Sequence, residues 1–181
     1  DPRWTTLRGP GGFATPAGDG WRVELTRESL TGTGTPAFLG VRQQHENVDV
    51  RVAVRAVLRP GEEAGLVVRQ SEADHVRLAL TSRDAGVVAR AVHRRAGAES
   101  VLGELRPGAA PGAAVDLGLV VRGQDYTLTV DGRTVATADG RMLDSIATGG
   151  FLGLWLGVYG TTNGGPTGTA IQVGPFRYIP V

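Results

Sequence analysis

The fold class is decided by residues 48–58, which read VDVRVAVRAVL. Every second side chain from the first residue to Ala56 is apolar, and Asp49, Arg51 and Arg55 lie between them. Successive side chains of a strand point to opposite faces of its sheet, so this alternation predicts a strand with one buried and one wet face. The stretch therefore predicts a β protein whose sheet covers a core on one side.

Stretches of the same character lie on both sides of this one. Alternation continues in His75–Leu80 and Val115–Val121, and Tyr126–Val130 leads through Asp131-Gly132 into Arg133–Val135. An Asp-Gly pair between two β-prone runs predicts a tight hairpin, because a type I′ turn needs positive φ at both central residues. Further candidate strands are Trp21–Thr26, Phe38–Val41, Ala64–Gln70, Val87–His93, Ser100–Leu105, Phe151–Tyr159 and Thr169–Tyr178.

About a dozen short strands separated by Gly, Pro and Asp turns predict an all-β fold, an antiparallel two-sheet sandwich. Residues Arg141–Ala147 could form one short helical turn, and Arg106–Ala114 reads as a solvent loop between strands. The loop is too short to link two domains, so we expect residues 1–181 to form a single domain. The chain begins with Asp1 rather than Met, and we expect it to be a fragment of a longer chain.

Composition excludes several classes of protein. The 181 residues carry a net charge of +1, which gives no field to attract nucleic acid or anionic lipid. No apolar run approaches the roughly 20 residues that span a bilayer. The absence of Cys rules out disulfides, thiolate zinc sites and a cysteine nucleophile, and it is compatible with a cytoplasmic or a secreted protein. All basic residues are Arg, which we interpret as a trace of GC-rich coding.

Motifs for catalysis or metal binding are absent from the sequence. The three His have no ligand spacing, and the acidic residues do not form the Glu-x-Asp-x-x-Glu string of sandwich glucanases. No Gly-x-Ser-x-Gly elbow and no phosphate loop occurs. We expect no catalytic residue, no metal ligand and no cofactor here, and a stand-alone sandwich hydrolase ranks low. Calcium stays open, because turn residues could supply oxygen ligands: Asp125, Asp131, Asp139, Asp144 and Asn163.

Aromatic residues give the clearest candidate for binding. Phe151, Trp155 and Tyr159 fall on one face of a predicted strand, with Gly153 and Gly157 between them. The three rings could form a platform for a chain-like sugar, or they could pack over the glycines inside the sandwich. The residues between are also apolar, so the strand is sheltered on both faces. A third possibility is that another domain covers one face.

Several longer segments carry a family resemblance. They read RESL at 27–30, PAFLGVRQQH at 36–45, GEEAGLVV at 61–68, GGFLG at 149–153 and GVY at 157–159. Together and in this order they resemble the C-terminal concanavalin-A-like β-sandwich of family-43 glycoside hydrolases, the β-xylosidase and α-arabinofuranosidase group. The resemblance runs from about Trp4 to Tyr178 and implies a jelly-roll accessory domain.

The resemblance also implies a partner and a set of contact residues. In such enzymes the sandwich follows a five-bladed propeller, which carries the catalytic carboxylates and lies outside this chain. The sandwich packs on the propeller and lends a phenylalanine to the rim of the pocket, and Phe151 matches it best. The candidate rim or carbohydrate-contact residues are Phe151, Trp155, Tyr159, Arg42, Gln43, Gln44 and His45.

The function expected from the resemblance is that of a non-catalytic accessory domain in an enzyme of polysaccharide degradation. Its substrates would be oligosaccharides derived from xylan or arabinan. The alternative is an independent carbohydrate-binding module that uses Trp155 and Tyr159. One departure lies near the end, where Gln172 and Gly174 replace acids of the family pattern. Pro175 removes a backbone donor there and predicts an edge strand or a bulge.

Overall fold

A computed structural model describes residues 3–83, 86–110, 112–143 and 153–181 of the chain. Two antiparallel sheets form a sandwich, as the sequence predicts. The strands are β1 Ala14–Ala17, β2 Gly20–Glu24, β3 Ala37–Arg42, β4 Asn47–Arg55, β5 Glu63–Arg69, β6 His75–Arg83, β7 Gly86–Arg95, β8 Ala98–Leu105, β9 Ala114–Arg122, β10 Asp125–Val130, β11 Arg133–Asp139, β12 Trp155–Thr161, β13 Ala170–Val173 and β14 Arg177–Pro180. A single 3₁₀ turn, Gly140–Leu143, follows β11.

The eight-stranded sheet has the order β1-β2-β13-β4-β9-β10-β11, with β14 also paired to β4. The six-stranded sheet has the order β3-β12-β5-β6-β7-β8. Neighbouring strands within each sheet pair antiparallel throughout. In the part of the chain that is described, no helix has the length and apolar character that a membrane crossing requires.

The core lies between the two sheets and contains the side chains that the alternating pattern predicts. Val48, Val50, Val52 and Val54 of β4 are each at most 1% exposed. They pack with apolar residues of both sheets, which include Leu66, Leu78, Leu80, Leu117, Leu119 and Val158. Truncating one such leucine to alanine costs about 2–5 kcal/mol, because the transfer energy is lost and a cavity remains.

A second, smaller apolar cluster lies on the outer face of the six-stranded sheet. Leu30, Phe38, Val67 and Tyr159 are buried in it, and Leu7 and Trp155 pack against it in part. Strand β12 therefore has apolar neighbours on both faces, with Leu156 and Val158 turned to the main core. This chain's own segments around residues 7 and 30 provide the cover on the outer side.

Glycines in β3 and β12 make room for an aromatic ring in this cluster. A Cβ at Gly40 would lie 2.5 Å from Cζ of Phe38, and one at Gly157 would lie 2.9 Å from Cε2 of the same ring. The Phe38 ring thus lies across two glycines. The aromatic and glycine pattern of the sequence allowed the same kind of packing for the rings of Phe151, Trp155 and Tyr159. A larger residue at either glycine would displace the ring or the strand.

The predicted hairpin at Asp131-Gly132 is confirmed. The two residues have φ of 49° and 74°, and Val130 pairs with Arg133 across the turn. The Asp131 carboxylate accepts hydrogen bonds from the backbone N–H of Asp116 at 3.0 Å and of Gly108 at 3.3 Å. The turn therefore also holds the loop that precedes β9.

Several strands have bounds that differ from the prediction. Strand β1 was not predicted, because it is short and contains Pro16, which a strand at the sheet edge tolerates. The alternating stretch 48–58 continues beyond the end of β4 at Arg55. The candidate Thr169–Tyr178 is two strands, and the interruption falls at Gly174–Phe176, where Pro175 predicts an edge strand or a bulge. In the described part of the candidate Phe151–Tyr159, the strand starts at Trp155 and continues to Thr161.

Candidate functional site

A surface groove runs between β3 and β14, and the first residue of β12 lies at one end. This part has a volume of about 300 Å³ and is lined by Arg3, Val41, Arg42, Gln44, His45, Trp155, Tyr178 and Pro180. It continues into a depression of about 400 Å³, lined by Arg3, Trp4, Val41, Phe176, Arg177, Tyr178 and Ile179. Because the two parts share Arg3, Val41 and Tyr178, we treat them as one surface, the β3–β14 groove.

Arg42 and Trp155 meet because β12 pairs with β3 in a register that places them opposite each other. The guanidinium carbon of Arg42 lies 4.7 Å from the ring centre of Trp155. A cation over an indole face is attracted by the ring quadrupole, which contributes about 0.5–1 kcal/mol at an exposed site. The contact covers one face of Trp155 and fixes the position of Arg42 in the groove.

Tyr178 of β14 organises the turn that follows β3. Its hydroxyl accepts a hydrogen bond from the backbone N–H of Gln44 at 2.9 Å and lies 3.1 Å from Nδ1 of His45. The rings of His45 and Tyr178 are 5.7 Å apart. The hydroxyl oxygen accepts the Gln44 hydrogen bond through a lone pair, and its O–H group can donate to an unprotonated Nδ1. The exposed side chains of Gln44 and His45 are therefore held at the rim of the groove.

Gln43 lies behind the groove and does not line it. Its side-chain Nε2 donates to the His45 carbonyl at 3.0 Å, and its backbone N–H donates to the Leu154 carbonyl at 2.9 Å. Its Oε1 is buried and has no hydrogen-bond partner among the described residues. Gln43 thus connects the turn after β3 to the segment that enters β12.

Tyr159 is 1% exposed and lies away from the groove. Its hydroxyl donates to Oε1 of Glu63 at 2.5 Å, and Nε of Arg77 contacts the same oxygen at 2.9 Å. Burial, together with the neighbouring Glu63 carboxylate, raises the pKa of the Tyr159 hydroxyl well above its ordinary value. Trp155 and Tyr159 share one face of β12, but only Trp155 lines an accessible surface. Phe151 lies outside the described residues.

The groove also contains residues to which sequence reasoning gave no role. Trp4 packs edge-to-face against Trp21, with ring centres 6.2 Å apart, and against Phe176, at 5.2 Å. Phe176 and Tyr178 come from the last part of the chain and Trp4 from the first. The only sequence signal was aromatic residues near both ends, which does not indicate that they meet.

Three acidic residues near predicted strands and turns, Glu62, Glu99 and Glu104, have structural partners. Glu62 is 4% exposed and accepts hydrogen bonds from the Arg59 backbone N–H and the Thr169 hydroxyl, each at 2.7 Å. Glu99 pairs with Arg77 and Arg94, and Glu104 pairs with Arg90. These contacts give each of the three carboxylates a partner within this domain.

Of the turn residues considered for calcium, Asp125 and Asp139 lie opposite each other at one end of β10 and β11, and Asp131 lies in the turn at the other end. Asp139 binds Arg141 at 2.8 Å, and the Asn163 amide donates to the Gly61 carbonyl at 2.9 Å. Asp144 lies outside the described residues. Within residues 3–83, 86–110, 112–143 and 153–181, no three His, Asp or Glu side chains come together in a way that could hold a metal ion.

Comparison with known proteins identifies the family. The chain belongs to the β-xylosidase C-terminal concanavalin A-like domains, and the match covers residues 1–179. It is 28% identical over 169 residues to the non-reducing end α-L-arabinofuranosidase BoGH43B of Bacteroides ovatus. That match covers 89% of this chain and 32% of the arabinofuranosidase.

Solved structures of family-43 enzymes share the fold. The GH43B protein of the Bacteroides ovatus xyloglucan locus superimposes with a TM-score of 0.91 at 24% identity. The xylan β-1,4-xylosidase of Bacillus halodurans C-125 superimposes with a TM-score of 0.86 at 22% identity. Each match covers 99% of this chain and 37% of the other. The chain therefore spans about a third of the length of these relatives and corresponds to their C-terminal domain.

Proposed function

We propose that this domain is the non-catalytic accessory β-sandwich of a family-43 glycoside hydrolase that acts on oligosaccharides derived from xylan or arabinan. It packs on the catalytic propeller through the β3–β14 groove and presents Phe151 at the rim of the active site. The main support is the groove itself, an aromatic and cationic surface next to the point where the chain from Phe151 enters β12.

Apolar residues around the groove favour a protein partner. Ile179 is 49% exposed and Val181 is 67% exposed, and both follow Tyr178 in the chain. Aromatic residues and arginines at the centre of such a patch are the types enriched in protein interfaces. Clustered exposed apolar side chains mark an interaction surface, whereas single ones do not.

The position of the first described residues agrees with this arrangement. In this family the sandwich is the C-terminal domain, so the catalytic domain precedes it in the chain. Arg3 and Trp4 line the groove. A connection from the catalytic domain would therefore arrive at the groove, which keeps the two surfaces close and favours docking by raising their effective concentration.

The test uses the full-length enzyme with the change Phe151→Ala and chromogenic xylosides and arabinofuranosides as substrates. We expect kcat/KM to fall about tenfold or more, which corresponds to about 1.4 kcal/mol of transition-state stabilisation, with an unchanged melting temperature. Val57→Ala is the matched control, because Val57 is 74% exposed and does not line the groove. Unchanged kinetics for Phe151→Ala would contradict the rim role.

A carbohydrate-binding module is the second candidate, since Trp155 and Gln44 line the same groove. Arg42 already covers one face of Trp155, which favours docking over sugar stacking. Titration of the domain with xylo- and arabino-oligosaccharides separates the two. Binding that is lost in Trp155→Ala without unfolding would support the module, and the absence of binding supports the accessory role.

A further inference from the structure

We infer that the surface covering the β3–β14 groove is acidic, and that its carboxylates pair with Arg42 and Arg177. This inference rests on the proposed function, in which the catalytic domain covers the groove. It adds the chemistry of the partner surface, which neither the fold nor the family comparison provides.

The charge along the groove has one sign. Its described lining residues include Arg3, Arg42, Arg177 and His45, and none of them is Asp or Glu. Glu46 follows His45 in the chain but is not among the lining residues. The domain as a whole has a net charge of only +1, so the positive charge of this surface is a local concentration.

Neither Arg42 nor Arg177 has a carboxylate partner among the residues that the structure describes. Arg42 stacks on Trp155. Arg177 lies directly opposite Arg51 in the pairing of β14 with β4. Asp116 forms an ion pair with Arg51, at 3.4 Å, and not with Arg177. Like charges directly opposite each other on neighbouring strands are unfavourable, so an external anion beside Arg177 would relieve a repulsion.

Covering the groove removes water from these guanidinium groups. A guanidinium has five N–H donors in its plane, and stacking on an indole satisfies none of them. Burying an unpaired charge is strongly unfavourable, so a covering surface must supply acceptors. Carboxylates match the planar fork of Arg with two parallel hydrogen bonds, which makes them the best fit.

The test uses the full-length enzyme and measures how fast a protease cleaves the connection between the domains. We expect Arg42→Glu to raise the cleavage rate at least about tenfold, because it places a negative charge against carboxylates. Arg42→Gln, which removes the charge without reversing it, should have a smaller effect in the same direction. Arg55→Glu is the control, since Arg55 is exposed at the end of β4 and outside the groove.

Salt provides a second readout that needs no variant. Raising ionic strength from about 0.1 M to about 1 M shortens the screening length from about 10 Å to about 3 Å. We expect the same change to speed cleavage of the wild-type connection and to speed it less in Arg42→Gln, which lacks the charge at this position. Circular dichroism of each variant establishes that the sandwich remains folded.

The outcomes separate this inference from the proposed function. If Trp155→Ala frees the sandwich while Arg42→Glu and salt leave cleavage unchanged, the groove docks through apolar contacts and the acidic partner is wrong. If none of these changes affects cleavage, the groove is not the docking surface and both proposals fail. Faster cleavage in Arg42→Glu and at high salt, but not in Arg55→Glu, supports both.

Discussion

The outer face of the six-stranded sheet and the β3–β14 groove use arginine in opposite ways. On the outer face, Arg77 lies 2.9 Å from Glu63, Arg90 lies 2.7 Å from Glu104, and Arg94 lies 3.2 Å from Glu99. In the groove, Arg42 contacts an indole ring and no described carboxylate. These arginines of the outer face thus have carboxylate partners within this domain, whereas Arg42 has none among the described residues.

The charged side chains of the outer face are also more deeply buried than those of the groove. The side chains of Arg77 and Glu63 are 11% and 13% exposed, and their ion pair closes over Tyr159. Arg42, Gln44 and His45 are exposed. Removing one partner from a shielded ion pair leaves an unpaired buried charge and is strongly destabilising, whereas removing one partner from an exposed pair changes stability little.

The largest effect is expected from removing the central carboxylate of the outer face. Glu63→Gln leaves the guanidinium of Arg77 partly unpaired and weakens the acceptor of the buried Tyr159 hydroxyl. We expect a loss of about 3 kcal/mol in the free energy of unfolding, measured by urea denaturation. Glu24→Gln is the matched control, because the Arg22–Glu24 pair is exposed and should be worth less than about 1 kcal/mol. Equal losses of unfolding free energy for the two changes would show that the shielded ion pair matters no more for stability than the exposed one.

A pH dependence of nearly the same size is expected from His75, which is fully buried on the outer face. Burial, followed by the charge of Arg77, lowers the pKa of His75 to about 4, while the Ser71 carbonyl accepts its Nδ1 proton at 3.2 Å. The unfolded chain, with a pKa near 6.5, binds the proton first as pH falls. Stability from this group is complete above about pH 6.5 and is lost toward pH 4, in total about 3 kcal/mol.

The measurement is the free energy of unfolding between pH 7 and pH 4 for wild type and His75→Asn. Charged groups facing His75 include Arg69 and Glu99 besides Arg77, and they remain in the variant. We expect the slope between about pH 6.5 and pH 4 to become shallower in His75→Asn. An identical slope in His75→Asn would show that other groups cause the acid sensitivity.

The smallest effect is expected in the groove. Arg42→Ala in this domain removes a stacking contact with Trp155 and no ion pair among the described residues. We expect a loss of less than about 1 kcal/mol in the free energy of unfolding by urea denaturation. The loss in unfolding free energy should therefore be several times smaller than for Glu63→Gln. A loss of several kcal/mol for Arg42→Ala would make the groove part of the folding core instead of a docking surface.

Much of the fold could be predicted because its signals are local. The alternation of residues 48–58 appears as β4, and Asp131-Gly132 forms the predicted turn, since each depends on a few neighbouring residues. Alternation also placed Trp155 and Tyr159 on one face of β12. It did not predict that only Tyr159 is buried, because the cover comes from Leu30, which is distant in sequence.

The candidate site could be predicted only in part. The resemblance singled out Arg42, Gln44 and His45, which line the groove, and Gln43, which lies behind it. Tyr178 was missed, because it reaches the groove through the pairing of β14 with β4. The N-terminal segment arrives through the bridge between Thr5 and Gly40. Contacts between the two ends of a chain have no local pattern that a sequence reveals.

The contact between Trp4 and Phe176 also affects when the groove can form during folding. During synthesis, Trp4 leaves the ribosome well before its aromatic neighbour Phe176. Strands β5 to β8 and β9 to β11 pair with their sequence neighbours and can form sooner. The groove therefore forms only after β14 has been made, and a chain that stops short of β14 would lack the surface to which a neighbouring domain could attach.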